Sequence, residues 1–211
     1  MTITELVLQK IADYQPKNGL DYVARFFISL ATVNHGKVTG HVERVALLAE
    51  AVAVRLGMDA KAAFFSGLLH DVGKILLPYR LFEGYDISDE EYAEIKKHAI
   101  LGSEALRNDY PFTSLCVGLH HAMYDRGYGL TMKDFPEDSS PALVKKILII
   151  STIVSISDFI EAFTHRGSKI KDGSDKAGAD LKTMLYAKYP GDALLIDVAL
   201  DEFPKIEFWN E

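Results

Sequence analysis

The densest chemical signal in the chain is GLLHDVGK, residues 67 to 74, where His70 and Asp71 stand side by side at the end of an apolar run. An imidazole nitrogen beside a carboxylate oxygen is a mixed donor pair suited to Fe, Mn, Zn or Ni rather than to Ca or Mg alone. Taken alone, the pair serves as well as a C-terminal cap, because a histidine in the last turn interacts favourably with the helix dipole. A second cluster, His120 and His121, follows the apolar LCVGL. Neighbouring helix positions point about 100° apart, so the two can reach one ion only where a helix ends or distorts. Asp125, Gly127 and Gly129 predict such an end; without it, the tandem histidines read as exposed polar residues. Asp158 follows ILIISTIVSIS, eleven residues without a charge. A carboxylate there must be hydrogen bonded, paired or metal bound, because burying it alone is costly. His41 and His98 sit at the edges of apolar stripes, where each by itself suits a structural or solvated role. His35 and His165 lack comparable surroundings.

These residues need helices to position them, and the hydrophobic periodicity is helical nearly throughout. Val42, Val45, Ala46, Ala49, Ala53 and Leu56 recur at steps of three and four, which predicts a helix over Val38 to Leu56 ended by Gly57. A second runs from Asp59 to Asp71, with Gly73 breaking it so that His70 and Asp71 leave the core at one edge. Ser88 and Glu91 form a capping box that opens a third helix reaching Asn108. Further helices are predicted over Ile3 to Tyr14, Tyr22 to Asn34, Thr113 to Met123, Ala142 to Phe163, Ala177 to Lys188 and Asp192 to Asp201. Gly and Pro cluster in loops such as FEGYD, YDRGYGL and HRGSKIKDGSD without alternating runs on both sides, so no strand pairs are expected. The fold class is therefore all-α. The longest irregular segment, Asp125 to Pro141, has the length of a functional lid or binding loop.

Composition limits the partners. The chain has 211 residues, 23 Lys and Arg against 30 Asp and Glu, and a net charge of -7, which disfavours sequence-independent binding of long nucleic acid. One cysteine, Cys116, excludes an internal disulfide and reads as a small buried hydrophobe. The N-terminus lacks the basic start of a signal peptide. Ile147 to Ile156 is too short to span a bilayer and carries Ser151, Thr152 and Ser155, so it reads as a buried core helix. The expected compartment is the cytoplasm, with no membrane partner.

In order, His41, His70 with Asp71, His98, His120 with His121, and Asp158 resemble the HD superfamily of metal-dependent phosphohydrolases, closest to its HD-GYP branch. The likeness runs from about Gly36 to Phe203 and includes HVERVALLAEAVAVRLGMD, HDVGKILLP, the segment around His98, SISDFIEAFTHR and PGDALLIDVALDEF. It implies an HD core over 36–211, with residues 1–35 as N-terminal helices packed on it and available as a dimer element. The resemblance further implies two divalent ions about 3.5 to 4 Å apart. His41, His70, Asp71 and Asp158 would hold one and His98, His120 and His121 the other, with Asp71 shared and a water between the ions as the attacking group. Lys74 would offer a charge to a phosphate oxygen, and Arg166 matches an arginine that follows the last aspartate. Arg126 is a further candidate for substrate contact.

The substrate loop departs from the HD-GYP pattern. In HHAMYDRGYG, Ala122 replaces a glutamate, Arg126 a glycine and Gly129 a proline, and one residue is missing. Lys37 stands where some members place a glutamate that supports a third metal, so two ions at most are expected. The implied function is metal-dependent hydrolysis of a phosphoester in a nucleotide or cyclic dinucleotide, with cyclic di-GMP itself put in doubt by the loop. An inactive signalling domain that binds a nucleotide or protein is the alternative. A di-iron oxygenase on the same scaffold is a third reading, for which the residues supply no positive reason.

Overall fold

The computed structural model describes residues 1–34, 36–82, 87–166 and 180–209; the side chains of Asn34, Lys37 and Arg166, His35, and most of FEGYD and HRGSKIKDGSD lie outside the described residues. Described residues form α-helices and short 3-10 turns, with no strand among them. The α-helices are α1 (Ile3–Tyr14), α2 (Leu20–Asn34), α3 (Gly36–Arg55), α4 (Ala60–Leu69), α5 (Asp89–Lys96), α6 (His98–Leu106), α7 (Pro111–Leu119), α8 (Pro141–Arg166), α9 (Leu181–Lys188) and α10 (Ala193–Glu202). The all-α class therefore holds.

Helix α3 is the spine because two of its faces are apolar. Val45, Leu48, Ala49, Val52 and Ala53 enter a core shared with α7, α8, α9 and α10. Val38, Val42, Ala46 and Leu47 enter a second core against α1, α2 and α4. The small residues let helices cross closely: a Cβ at Gly67 of α4 would lie 3.0 Å from the Cα of Ala46. The N-terminal helices thus pack on the rest through Val7, Ile11, Phe27 and Ile28.

Helix α8 is longer than its apolar run, at 26 residues. Pro141–His165 is apolar and long enough to cross a membrane, yet most of it is buried inside the protein, as expected for a core helix. Its interior hydroxyls are satisfied locally, with Ser151 Oγ donating to Ile147 O at 2.8 Å and Thr152 Oγ1 to Leu148 O at 2.9 Å. Cys116 is buried, and burial pushes its thiol up to about 12, consistent with a packing role.

Among the boundaries that differ from the periodicity, three lie at histidines. The helix expected over Ser88 to Asn108 is two, α5 and α6, meeting at Lys97. Helix α4 ends at Leu69 rather than Asp71, and α7 at Leu119 rather than Met123. Gly73 acts less as a helix breaker than as a place of close approach, since a Cβ there would overlap the backbone carbonyl of His98. The segment Asp125 to Pro141 is irregular except for a 3-10 turn at Met132–Asp134, closed by a Thr131 capping box.

Candidate metal centre

The last carbonyls of an α-helix have no intrahelical partner, and here three of them fix histidine rings. His70, just past α4, donates from Nδ1 to Gly67 O at 2.7 Å. His98, at the α5–α6 junction, donates to Ile95 O at 2.7 Å. His120, just past α7, donates to Val117 O at 2.5 Å. Each bond spans three residues and places the proton on Nδ1, so each Nε2 carries a free lone pair. This is the tautomer selection by an outer partner that metal-ligating histidines show. The premature helix ends are what aim these rings.

The Nε2 atoms converge. His41 Nε2 lies 3.2 Å from His70 Nε2, and His98 Nε2 lies 3.4 Å from His120 Nε2. Acceptor nitrogens at such separations repel unless a cation or proton sits between them. His41, His70 and Asp71 form one group able to hold a metal ion, His98, His120 and His121 a second, and His70, His120 and Asp158 a third that links the two. Asp71 is fully buried, and its Oδ1 has no hydrogen bond: His98 Nε2 approaches to 3.2 Å but outside hydrogen-bond geometry. A buried, orphaned carboxylate oxygen among imidazole lone pairs fits a divalent cation, and the donor set matches the borderline metals. The structure thus brings together all seven ligands that the family resemblance implied.

The electrostatics divide the site. Burial works against a charge on His41, but the Glu161 carboxylate, with Asp158 and Asp71, outweighs it and holds the ring up at about 10. Asp71 is buried as well, yet His70, Lys74 and His41 keep its carboxyl well below the usual range. Asp158 is held down in the same way by His41, His70 and His121 against its own burial. On the other side, burial and neighbouring imidazoles push His120 down to about 3, and burial with the Lys74 charge pushes His98 down to about 4 despite Asp71. His121 is lowered too, first by burial and then by His120.

Glu161 was not singled out by the sequence. It is buried one helical turn after Asp158, accepts a hydrogen bond from His41 Nδ1, and accepts a fork from Arg44 Nε at 3.0 Å and Nη2 at 2.7 Å. Its carboxyl is held at about 2 by His41 and Arg44, against the opposing effect of burial. The spacing Asp158-x-x-Glu161 on a buried helix was the available signal. Tyr128 and Tyr124 also line the site, with no motif in the sequence to mark them. The Tyr128 ring lies 4.5 Å from the His121 ring at an interplanar angle of 31°, and the Tyr124 hydroxyl lies 3.3 Å from His121 Nδ1. The loop that carries them is pinned: Tyr128 N–H bonds His121 O at 3.0 Å and Leu130 N–H bonds Gly118 O at 2.8 Å. Gly129, with φ of +115°, has no room for a side chain beside the Gly118 carbonyl.

The expected substrate contacts fall differently. Lys74 reaches the centre, where Nζ pairs with Asp71 Oδ2. Arg126 does not; its side chain is 93% exposed, beside Asp125. Arg166 ends α8, and its side chain, like that of Lys37, is outside the described residues. His165, given no role, ties α8 to the C-terminal segment by donating to Trp209 O at 2.6 Å.

Comparison with known proteins agrees with this geometry. The chain is 27% identical to the 3'3'-cGAMP-specific phosphodiesterase 1 of Vibrio cholerae, over 74% of this chain and 37% of that one. It is 30% identical to the cyclic di-GMP phosphodiesterase of Thermotoga maritima, over 60% of this chain and 34% of that one. A shorter match, 31% over 40% of the chain, is to ribonuclease Y of Mycoplasma capricolum, of which it covers 14%. The chain spans about a third of the length of the first two relatives. The family model for the HD domain matches residues 38–162, from the start of α3 to just past Glu161 and so more than half of the chain, and the protein belongs to the HD domain family.

Proposed function

We propose that this chain is a metal-dependent phosphodiesterase acting on a small nucleotide diester of the cyclic dinucleotide kind. The observation that carries the reading is Asp71. Its Oδ2 lies 3.4 Å from both His41 and His70 Nε2, and its Oδ1 3.2 Å from His98 Nε2, so one carboxylate faces both histidine sets. Two divalent ions, of Fe, Mn, Ni or Zn, would be held by His41, His70, Asp71 and Asp158 on one side and by His98, His120 and His121 on the other. Bound there, they would supply Lewis acidity toward a phosphoryl oxygen and lower the pKa of a water toward neutrality.

The chain's own groups do the positioning. Carbonyl bonds lock His70, His98 and His120 in the ligating tautomer, and Glu161 with Arg44 holds His41. Lys74, only 12% exposed, can exchange its bond to Asp71 for a substrate phosphate oxygen as a point charge. Arg166, at the end of the helix that carries Asp158, is a second phosphate contact in this reading. A contact from Arg126 would require its loop to turn inward. The names of the Vibrio cholerae and Thermotoga maritima proteins support the substrate class.

Residues 1–35 are read as a helical addition to the HD core. The exposed α2 residues Tyr22, Phe26 and Val33 offer a face for a homodimer. The cytoplasm, which suits the lone thiol, is the proposed compartment.

Metal analysis of the purified protein, followed by assay of cyclic dinucleotides and generic phosphodiesters, tests the proposal. Metal-dependent release of a linear product, abolished by a chelator, is expected. Full metal occupancy without turnover of any phosphodiester would overturn it in favour of an inactive binding domain, the reading that the altered loop supports. Oxygen-dependent product formation would instead favour the oxygenase.

A further inference from the structure

We propose that Lys96 is a specificity-determining residue of this site: its ammonium, seated on the rings of Tyr92 and Tyr128, receives the substrate phosphate that does not react at the metals. The inference rests on the phosphodiesterase reading above. Lys96 Nζ lies 4.6 Å from the Tyr92 ring centroid and 5.6 Å from that of Tyr128. The Tyr128 ring in turn lies against His121, so Lys96 is one side chain removed from the metal centre. His121 and Asp158 are its most open members, each with a side chain 16% exposed, and Tyr128 lies against the first of them.

Lys96 is half-buried, and among the described residues no carboxylate comes within ion-pair distance of it. Lys97 and Lys74, by contrast, are both paired, with Glu94 and Asp71 respectively. Aromatic faces attract an ammonium through their quadrupole but leave its charge uncompensated. A cation in that position favours an anion, and the anion available at a phosphodiester site is a second phosphate. Arg126, the cation first expected near this loop, faces solvent instead.

The test is Lys96→Met, which keeps the stem on the rings and removes the charge, with Lys96→Arg as rescue. Two readouts apply to the metal-loaded protein: equilibrium binding of a non-hydrolysable phosphorothioate cyclic dinucleotide, and KM and kcat for a cyclic dinucleotide beside bis(p-nitrophenyl) phosphate, which has a single anionic phosphate. Loss of one charge-assisted contact should weaken analogue binding and raise KM for the dinucleotide about tenfold. Metal content and kcat should hold, KM for the small diester should shift less than the dinucleotide KM, and Lys96→Arg should recover most of the loss. Equal effects on both substrates, changes within twofold on the dinucleotide, or no analogue binding by the unaltered protein would overturn the proposal. Lys96-dependent analogue binding without hydrolysis of either diester would sink the phosphodiesterase reading and leave the subsite standing.

Discussion

The His41 side of the metal centre is crowded with carboxylates, whereas the His98 side is built of imidazoles framed by tyrosines. On the first side Asp71, Asp158 and Glu161 surround one ring and raise it to about 10. On the second, His98 and His120 are pushed down to about 4 and 3, because burial and like-charged neighbours both disfavour the protonated ring. The carboxylate side is a pre-formed counter-charge for a cation. The imidazole side offers neutral lone pairs and takes its negative charge mainly from the shared Asp71. An ion on the carboxylate side should therefore be held more tightly than one on the imidazole side.

The comparison breaks most completely at Asp71. Asp71→Asn keeps the shape and removes the shared charge, so bound metal should fall on both sides and hydrolysis should drop to background, as read by elemental analysis and product release. Retention of full metal content would show that the two sides do not depend on a common ligand.

Glu161→Gln should act on the carboxylate side alone. The change weakens the orientation of His41 and strands Arg44, and removal of such an outer partner typically costs about 10–100-fold in metal affinity or activity. Metal titration should show one weakened site and one unchanged; equal weakening of both would erase the asymmetry.

Gly73→Ala probes the seam between the sides. The new methyl would collide with the His98 carbonyl, and overpacking of this kind costs about 1–3 kcal/mol, measurable by denaturant unfolding. Metal affinity should suffer on the imidazole side, because His98 must move. The smallest change is expected from Tyr124→Phe, which removes the 3.3 Å contact to His121 Nδ1. One neutral hydrogen bond is worth about 0.5–1.5 kcal/mol, so the imidazole site should weaken by less than about tenfold with the carboxylate site untouched.

Much of this site is visible in local sequence. His70 with Asp71 and His120 with His121 follow apolar runs of the same form, GLLH and VGLH, and in both the helix stops before the histidine. His41 and His98 are ambiguous alone, since each sits on a stripe edge that also suits a structural histidine. Glu161 resembles any acid on a helix surface, and only the arrival of α3 buries it against His41 and Arg44. Lys96 looks like one of a pair of solvated lysines until Tyr128 closes over it, while Arg126, attractive as a loop cation, turns outward. The break at Lys97 was hidden because α5 and α6 keep a nearly continuous apolar period; at the break the His98 ring bonds Ile95 O.

By itself the sequence determined the helices, the donor types and most of the points where helices end, because these depend on side chains within a turn or two of one another. Tertiary structure decided which donors meet. His41 and Glu161 are 120 residues apart, and no local rule pairs them. Two apolar faces on α3 set its distance from α4 and α8, and that spacing makes five imidazoles and two aspartates into one centre with a charged side and a neutral one.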